Sequence, residues 1–140
     1  MTRRRGYRLD DQVGFVLRQA QQRHAALFAS LMIEGLTPTQ WAALAKLAEA
    51  GATSQNRLGR LTAMDAATIK GVVDRLILRG LARAAVDVED ARRRLVELTA
   101  EGAEVFARAE PFAHEITQAT LAPLSEEERR ALLELLKRLA

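Results

Sequence analysis

DAATIKGVVDRLILRGLARAAVDVEDARRRLVELTAEG, residues 65–102 of a 140-residue chain, carries the pattern that decides the fold. Asp65 is placed to N-cap a helix in which Ile69, Val72, Val73, Leu76 and Ile77 recur at helical spacing, and Gly80 ends it. Two short stretches follow, 81–86 and 93–98, joined by the polar run Asp87-Val88-Glu89-Asp90-Ala91-Arg92, and they read as a two-stranded hairpin. Thr99 then caps another helix.

Working toward the N-terminus, Thr37-Pro38-Thr39-Gln40 has the form of a capping box, with proline at the first helical position. The helix it opens runs to Ala50 and is closed by Gly51. Thr53 or Ser54 opens a short helix carrying Leu58 and Leu61, which turns through Thr62-Ala63-Met64 into the helix capped by Asp65. The centre of the chain therefore reads as a helix-turn-helix followed by a β-hairpin wing, an arrangement suited to reading DNA.

Outside this centre lie three longer helical patterns. Residues 10–34 carry the stripe Val13, Val16, Leu17, Ala20, Leu27, Phe28 and Leu31, ending at Gly35. From Thr99 to about Leu121 the residues Ala103, Phe106, Ala109, Ala113, Ile116 and Thr120 share one side, and Pro111 predicts a kink. Ser125-Glu126-Glu127-Glu128 is a second capping box, opening a helix with Leu132, Leu133, Leu135, Leu136 and Leu139. The expected class is mainly α with a small β-hairpin wing. It forms a single domain over 1–140, in which dimerisation helices (9–34 and 100–140) flank a winged helix-turn-helix (37–98). So small a domain cannot bury every terminal stripe in itself, and a symmetric homodimer is the economical partner; the alternative is a monomeric bundle.

Composition agrees with one compact domain: 49% hydrophobic, 28% charged, with 8 Gly and 3 Pro, too few for a collagen-like or low-complexity chain. The absence of cysteine excludes a disulfide framework, a thiolate metal site, a cysteine nucleophile and thiol-based sensing. No apolar run approaches the ~20 residues of a membrane span. Arg3, Arg4 and Arg5 lead into Asp10 and Asp11 and not into an apolar signal core. A cytoplasmic protein with no membrane partner is expected. Net charge is +3, but unevenly spread: over residues 53–94 nine basic residues face five acidic ones, and over 95–140 five face nine. Most of the basic residues are Arg, the side chain suited to forked phosphate and base-edge contacts.

With these elements in order, the chain resembles the MarR family of winged-helix transcriptional regulators over nearly its whole length. The resemblance is most specific from Asp74-Arg75-Leu76 through Gly80-Leu81, Asp87, Asp90 and Arg92 to Leu98-Thr99-x-x-Gly102. SQNRLGRLTAMDAATIKGVVDRL (54–76) resembles the family's DNA-reading helices, and LTPTQWAAL (36–44) its second helix. Ala84 and Ala85 stand where relatives often carry Arg, and Ala91 replaces an Arg common in the wing tip, which implies fewer wing contacts to phosphate. The start, YRLDDQVGFVLRQAQQRH (7–24), looks like the relatives that control aromatic-compound catabolism.

The partners so implied are double-stranded DNA bearing a pseudo-palindromic operator, a second copy of the chain, and a small aromatic acid or phenol. On the helix capped by Asp65, the side chains of Ala66, Ala67, Thr68 and Lys70 are candidates for base edges, thymine methyls or phosphate. The same small residues also suit a plain solvent face. Ser54 and Gln55 are candidates for phosphate, although Ser54 serves equally as an ordinary N-cap. Arg75 is either a phosphate contact or a partner for Asp74 or the wing. In the family the wing arginine, here Arg92, enters the minor groove and is held by the aspartate two residues earlier, here Asp90; Arg93 and Arg94 add backbone contacts or form a solvated run.

The resemblance also implies an effector cleft between the dimer helices and the winged domain. His24 interrupts the first helix's apolar seam, so it is hydrogen-bonded, packed at the seam or facing a cavity. Arg18, Gln22 and Arg23 are candidates for a carboxylate, or else solvated, and Phe15 and Trp41 are aromatic walls or core. His24 and His114 are far apart, which argues against a metal sensor, and no cofactor is expected. No Walker loop, dinucleotide fingerprint, nucleophile elbow or histidine cluster supports an enzyme. The remaining rivals are a constitutive architectural DNA binder and a helical adaptor without DNA binding.

Overall fold

The computed structural model describes residues 6–140; the N-terminal arginines at 3–5 lie outside the described residues. The elements are α1 (Val13–Leu31), α2 (Pro38–Ala50), β1 (Thr53–Ser54), α3 (Gln55–Leu61), α4 (Ala66–Leu78), β2 (Ala82–Val86), β3 (Arg94–Leu98), α5 (Ala100–Leu121) and α6 (Glu126–Arg138). They divide into two compact units. One is Met32–His114; the other joins the described part of Met1–Leu31 to Glu115–Ala140.

The winged-helix unit is organised by its caps. Both capping boxes are present: Thr37 Oγ1 accepts from the Gln40 N–H at 3.2 Å, and in the other unit Ser125 Oγ accepts from the Glu128 N–H at 3.2 Å. Ser54 caps α3, not Thr53, and Asp65 caps α4 as expected. Leu44, Leu58, Ile69 and Leu76 are almost wholly enclosed and form the centre of a core that draws on α2, α3, α4, the sheet and α5. Each such side chain contributes roughly 1.5–3 kcal/mol of burial. Gly59 lets α3 and α4 approach closely, since a Cβ there would stand 3.1 Å from the Ile69 side chain and 3.2 Å from the Met64 carbonyl.

The wing is one strand richer than the expected hairpin. β3 lies between β2 and β1, with Thr53 opposite Val96 and Ser54 opposite Leu95. In the hairpin itself Ala82 faces Leu98 and Val86 faces Arg94. At its base Thr99 Oγ1 donates to the Gly80 carbonyl at 2.6 Å and accepts from the Gly102 N–H at 3.0 Å, so one hydroxyl joins the end of α4, the end of β3 and the start of α5.

Two boundaries differ from the reading of the sequence. The first helix begins at Val13, after a single 3₁₀ turn at Leu9–Asp11, and stops at Leu31, three residues before a turn in which Glu34 and Gly35 take positive φ angles of 61° and 62°. Val105 and Ala109 belong to the winged-helix core, and Ala100 to His114 fold with that unit. α5 spans Ala100–Leu121 with Pro111 inside it, the bounds the sequence predicts.

The second unit buries little. Phe28 and Ile116 are enclosed, whereas Val13, Val16 and Leu17 of α1 and Leu133, Leu135, Leu136 and Leu139 of α6 are substantially exposed.

Candidate nucleic-acid interface

The exposed side of α4 begins with Ala66, Ala67, Thr68 and Lys70, opposite the buried Ile69, Val72 and Val73. Asp65 holds this start in place: its Oδ1 accepts from the Thr68 N–H at 2.7 Å. That bond, joined by the Thr68 hydroxyl, keeps the Asp65 carboxyl below its ordinary value of 3.8. Thr68 thus has a local capping role as well as a place on the surface. Lys70 Nζ is 2.9 Å from Asp74 Oδ2, one turn on, an exposed ion pair along the helix. Asp74 is therefore occupied by Lys70 and not by Arg75, whose exposed side chain has no ion-pair partner among the described residues.

A group whose carboxylate is favoured by folding stabilises the protein above its unfolded pKa and loses that effect as pH falls through the folded value. Asp65 and, at the α6 capping box, Glu128 are both lowered by hydrogen bonds from their capped turns, so both act in this direction. Asp65→Asn keeps a cap oxygen without the charge. Circular-dichroism melts between about pH 5 and pH 2 are expected to show a shallower acid loss of stability for the variant. An unchanged acid profile would mean that the capping charge is not coupled to folding.

The wing tip is a tight turn in which the Asp87 N–H donates to the Arg93 carbonyl and the Arg93 N–H to the Asp90 carbonyl. Asp90 Oδ1 accepts from the Arg92 N–H at 3.0 Å and lies 3.5 Å from Arg92 Nε, while the Arg92 side chain remains 94% exposed. The turn consequently presents a guanidinium outward from a backbone that its own aspartate holds. Behind the tip, Ser54, Gln55, Asn56, Arg60, Arg93 and Arg94 surround a hollow of about 410 Å³. This brings the Ser54–Gln55 and Arg93 candidates together. Asn56 and Arg60 were not evident beforehand; their position follows from β1 pairing with β3, and a two-residue strand leaves no periodic signal. Arg83 is taken up by Glu97 across the strands at 2.9 Å.

The second unit holds an aliphatic cleft of about 440 Å³, whose walls include Val16, Leu17, Leu132 and Leu136. His24 reaches it, with Nδ1 2.8 Å from Thr120 Oγ1 and its ring 6.5 Å from that of Phe28. Gln21, Thr117 and Thr120 supply the remaining polar groups. Gln21 rather than Gln22 lines it, and Phe15 and Arg18 lie off its walls. Arg23 donates to the Ala119 and Thr120 carbonyls, capping the end of α5. Trp41 belongs to the winged-helix unit, half-buried and stacked on Phe106 at 5.2 Å and 11°. One of its faces is thereby covered.

A helix-turn-helix with an arginine-bearing wing defines a winged-helix DNA-binding protein. The MarR family model matches residues 34–93. Over 95% of this chain and 85% of its own length, the HTH-type transcriptional repressor NicR of Pseudomonas putida is 39% identical. A crystal structure of a probable transcriptional regulator from Pseudomonas aeruginosa superposes with a TM-score of 0.93 at 57% identity, covering 95% of this chain and all of that one. BpsR of Bordetella bronchiseptica, whose structure concerns regulation of DNA binding by 6-hydroxynicotinic acid, gives 0.92 at 38% identity, covering 96% and 97%. The chain belongs to the MarR family of transcriptional regulators.

Proposed function

We propose that the protein is a cytoplasmic, homodimeric repressor, without enzymatic activity, that a small aromatic acid releases from a pseudo-palindromic operator. The observation that carries the DNA assignment is the hollow formed by Arg60, Arg93 and Arg94 beside the helix-turn-helix, a seat for backbone phosphate next to a reading helix of small side chains. Ala66, Ala67, Thr68 and Lys70 meet base edges in the major groove, and Arg92, held by Asp90, enters the flanking minor groove. Ser54, Gln55, Arg75 and Arg93 take phosphates. Dimerisation is supported by the exposed leucines and valines of α1 and α6, which a second copy would cover.

The effector reading is supported by the cleft's size and character, since small-molecule sites are apolar hollows with a few placed polar groups. The link of the Bordetella relative to 6-hydroxynicotinic acid supports a small aromatic acid as the chemical class. His24 faces the ring or its substituent. Arg18 and Gln22, one turn apart on the adjoining exposed face of α1, take the carboxylate. Phe15, on the same helix, is the aromatic contact in this reading. To release DNA by a given factor, the acid must bind the released form better by that factor, about 1.4 kcal/mol per tenfold.

Fluorescence anisotropy on DNA from upstream of the gene, against scrambled DNA, over a salt series and with hydroxynicotinic and benzoic acids, tests both halves. Specific binding relieved by an acid is expected. Binding without sequence preference or acid response would favour a constitutive architectural protein, and no salt-dependent binding would favour an adaptor. His24→Ala is expected to leave operator affinity within about twofold and to weaken the acid response by about tenfold, the effect of one lost polar contact. Equal acid responses in the two proteins would assign His24 to the fold.

A further inference from the structure

The arginine that ends α4 is engaged with the corner before α2. Arg79 is the C-cap residue of α4. Its Nη2 donates to the Glu34 carbonyl, and its Nη1 lies 3.3 Å from Gln40 Oε1. Gln40 is buried, and the same Oε1 accepts from the Thr37 N–H of the α2 capping box at 3.3 Å. Glu34 is a non-glycine residue at φ 61°, a left-handed conformation that a side chain adopts at a cost and that persists when its surroundings hold it. Its carboxylate accepts from Arg108 Nη2 of α5 at 3.0 Å. One guanidinium therefore ties the end of α4 to the corner before α2, and the side chain at that corner is tied in turn to α5.

We propose that Arg79 is a positioning residue for DNA recognition: by forking between the Glu34 carbonyl and Gln40 it sets the pitch at which α4 presents Ala66, Ala67, Thr68 and Lys70 to the bases. The inference rests on α4 being the reading helix. Contacts to base edges depend on a placement of a few tenths of an ångström, whereas attraction between Arg or Lys and phosphate tolerates more. Loss of the fork therefore costs discrimination more than it costs general DNA affinity. A phosphate contact would behave differently, since removing one lowers affinity for all sequences and reduces the slope of log K against log salt by about 0.9.

The experiment measures the dissociation constants of the full-length protein on operator and on scrambled DNA over a salt series, for the wild type, Arg79→Met and Arg79→Lys, with thermal melts alongside. For Arg79→Met the operator constant is expected to rise roughly tenfold, the scale of one charge-assisted hydrogen bond, with the scrambled-DNA constant and the salt slope unchanged. Lysine keeps the charge but not the fork, so Arg79→Lys is expected to lose discrimination as well. This variant answers the question if the methionine variant does not fold. Equal discrimination in all three overturns the proposal, as does a parallel fall on both DNAs with a reduced slope in Arg79→Met and recovery in Arg79→Lys. Failure of the wild type to discriminate overturns the assignment of α4 itself, and the proposal with it.

Discussion

Arg92→Ala is expected to weaken operator binding by roughly ten- to a hundredfold, corresponding to about 1–3 kcal/mol for a guanidinium lost from a DNA groove. The side chain is 94% exposed and its one ion-pair partner, Asp90, is 3.5 Å away, so little of the fold depends on it. A melting curve within about 0.5 kcal/mol of wild type is expected. The backbone bond from the Arg92 N–H to Asp90 survives the substitution, so the turn keeps its shape while Asp90 loses the cation that offsets its charge near phosphate. Arg92→Lys separates the two components of the effect. It keeps the charge and loses the planar group that fits a narrow groove, so partial recovery on scrambled DNA with continued loss on the operator is expected. Operator affinity equal to wild type in Arg92→Ala would remove the wing tip from the interface.

Gly102→Ala is expected to be the most damaging single-methyl change in the winged-helix unit. A Cβ at this position would stand 1.9 Å from the Leu81 carbonyl oxygen and 2.9 Å from its carbon. Those are backbone atoms, so no side-chain rotation relieves the overlap, and the Leu81 carbonyl already accepts from the Thr99 N–H at 3.1 Å. Overpacking a dense interior ordinarily costs about 1–3 kcal/mol, and backbone on backbone belongs at or beyond the upper end. The expected result is a protein recovered in low yield, with a lowered Tm and weak DNA binding that follows from the displaced wing. A variant with wild-type Tm would show that the start of α5 shifts freely against β2.

How far the sequence revealed this arrangement depended on whether a residue's role left a local signal. The caps did: Thr37 with Gln40, Ser125 with Glu128, and Asp65 are read from residue types three positions apart, and the structure places each bond where expected. The hairpin was legible despite its alanines, because Val96 and Leu98, two residues apart, mark its inner face. β1 was not, since two residues cannot display an alternation. The turn after the first helix was hidden too, because Glu34, an ordinary residue, adopts a left-handed backbone. For the site, single residues were visible and their grouping was not. Arg93 could be named from its run, but the company of Arg60 and Asn56 depends on a strand pairing. His24 stood out as polar in an apolar seam, whereas Thr120, ninety-six residues later, offered no sign that it would meet the ring.

The aliphatic cleft also bears on how sensitivity is set. Val16, Leu17, Leu133 and Leu136 line it, and the same four side chains are part of the exposed apolar face of α1 and α6. Two associations that draw on one surface are thermodynamically linked, and each alters the other's equilibrium by the same factor. Under the proposed function, a molecule seated beside His24 would change how readily that face meets a second copy, and the second copy would change how tightly the molecule is held. Sensitivity then becomes adjustable from a distance. A substitution at Leu139, which is exposed at the end of α6 and outside the cleft, would on that reading retune the response without altering any group that lines the cleft.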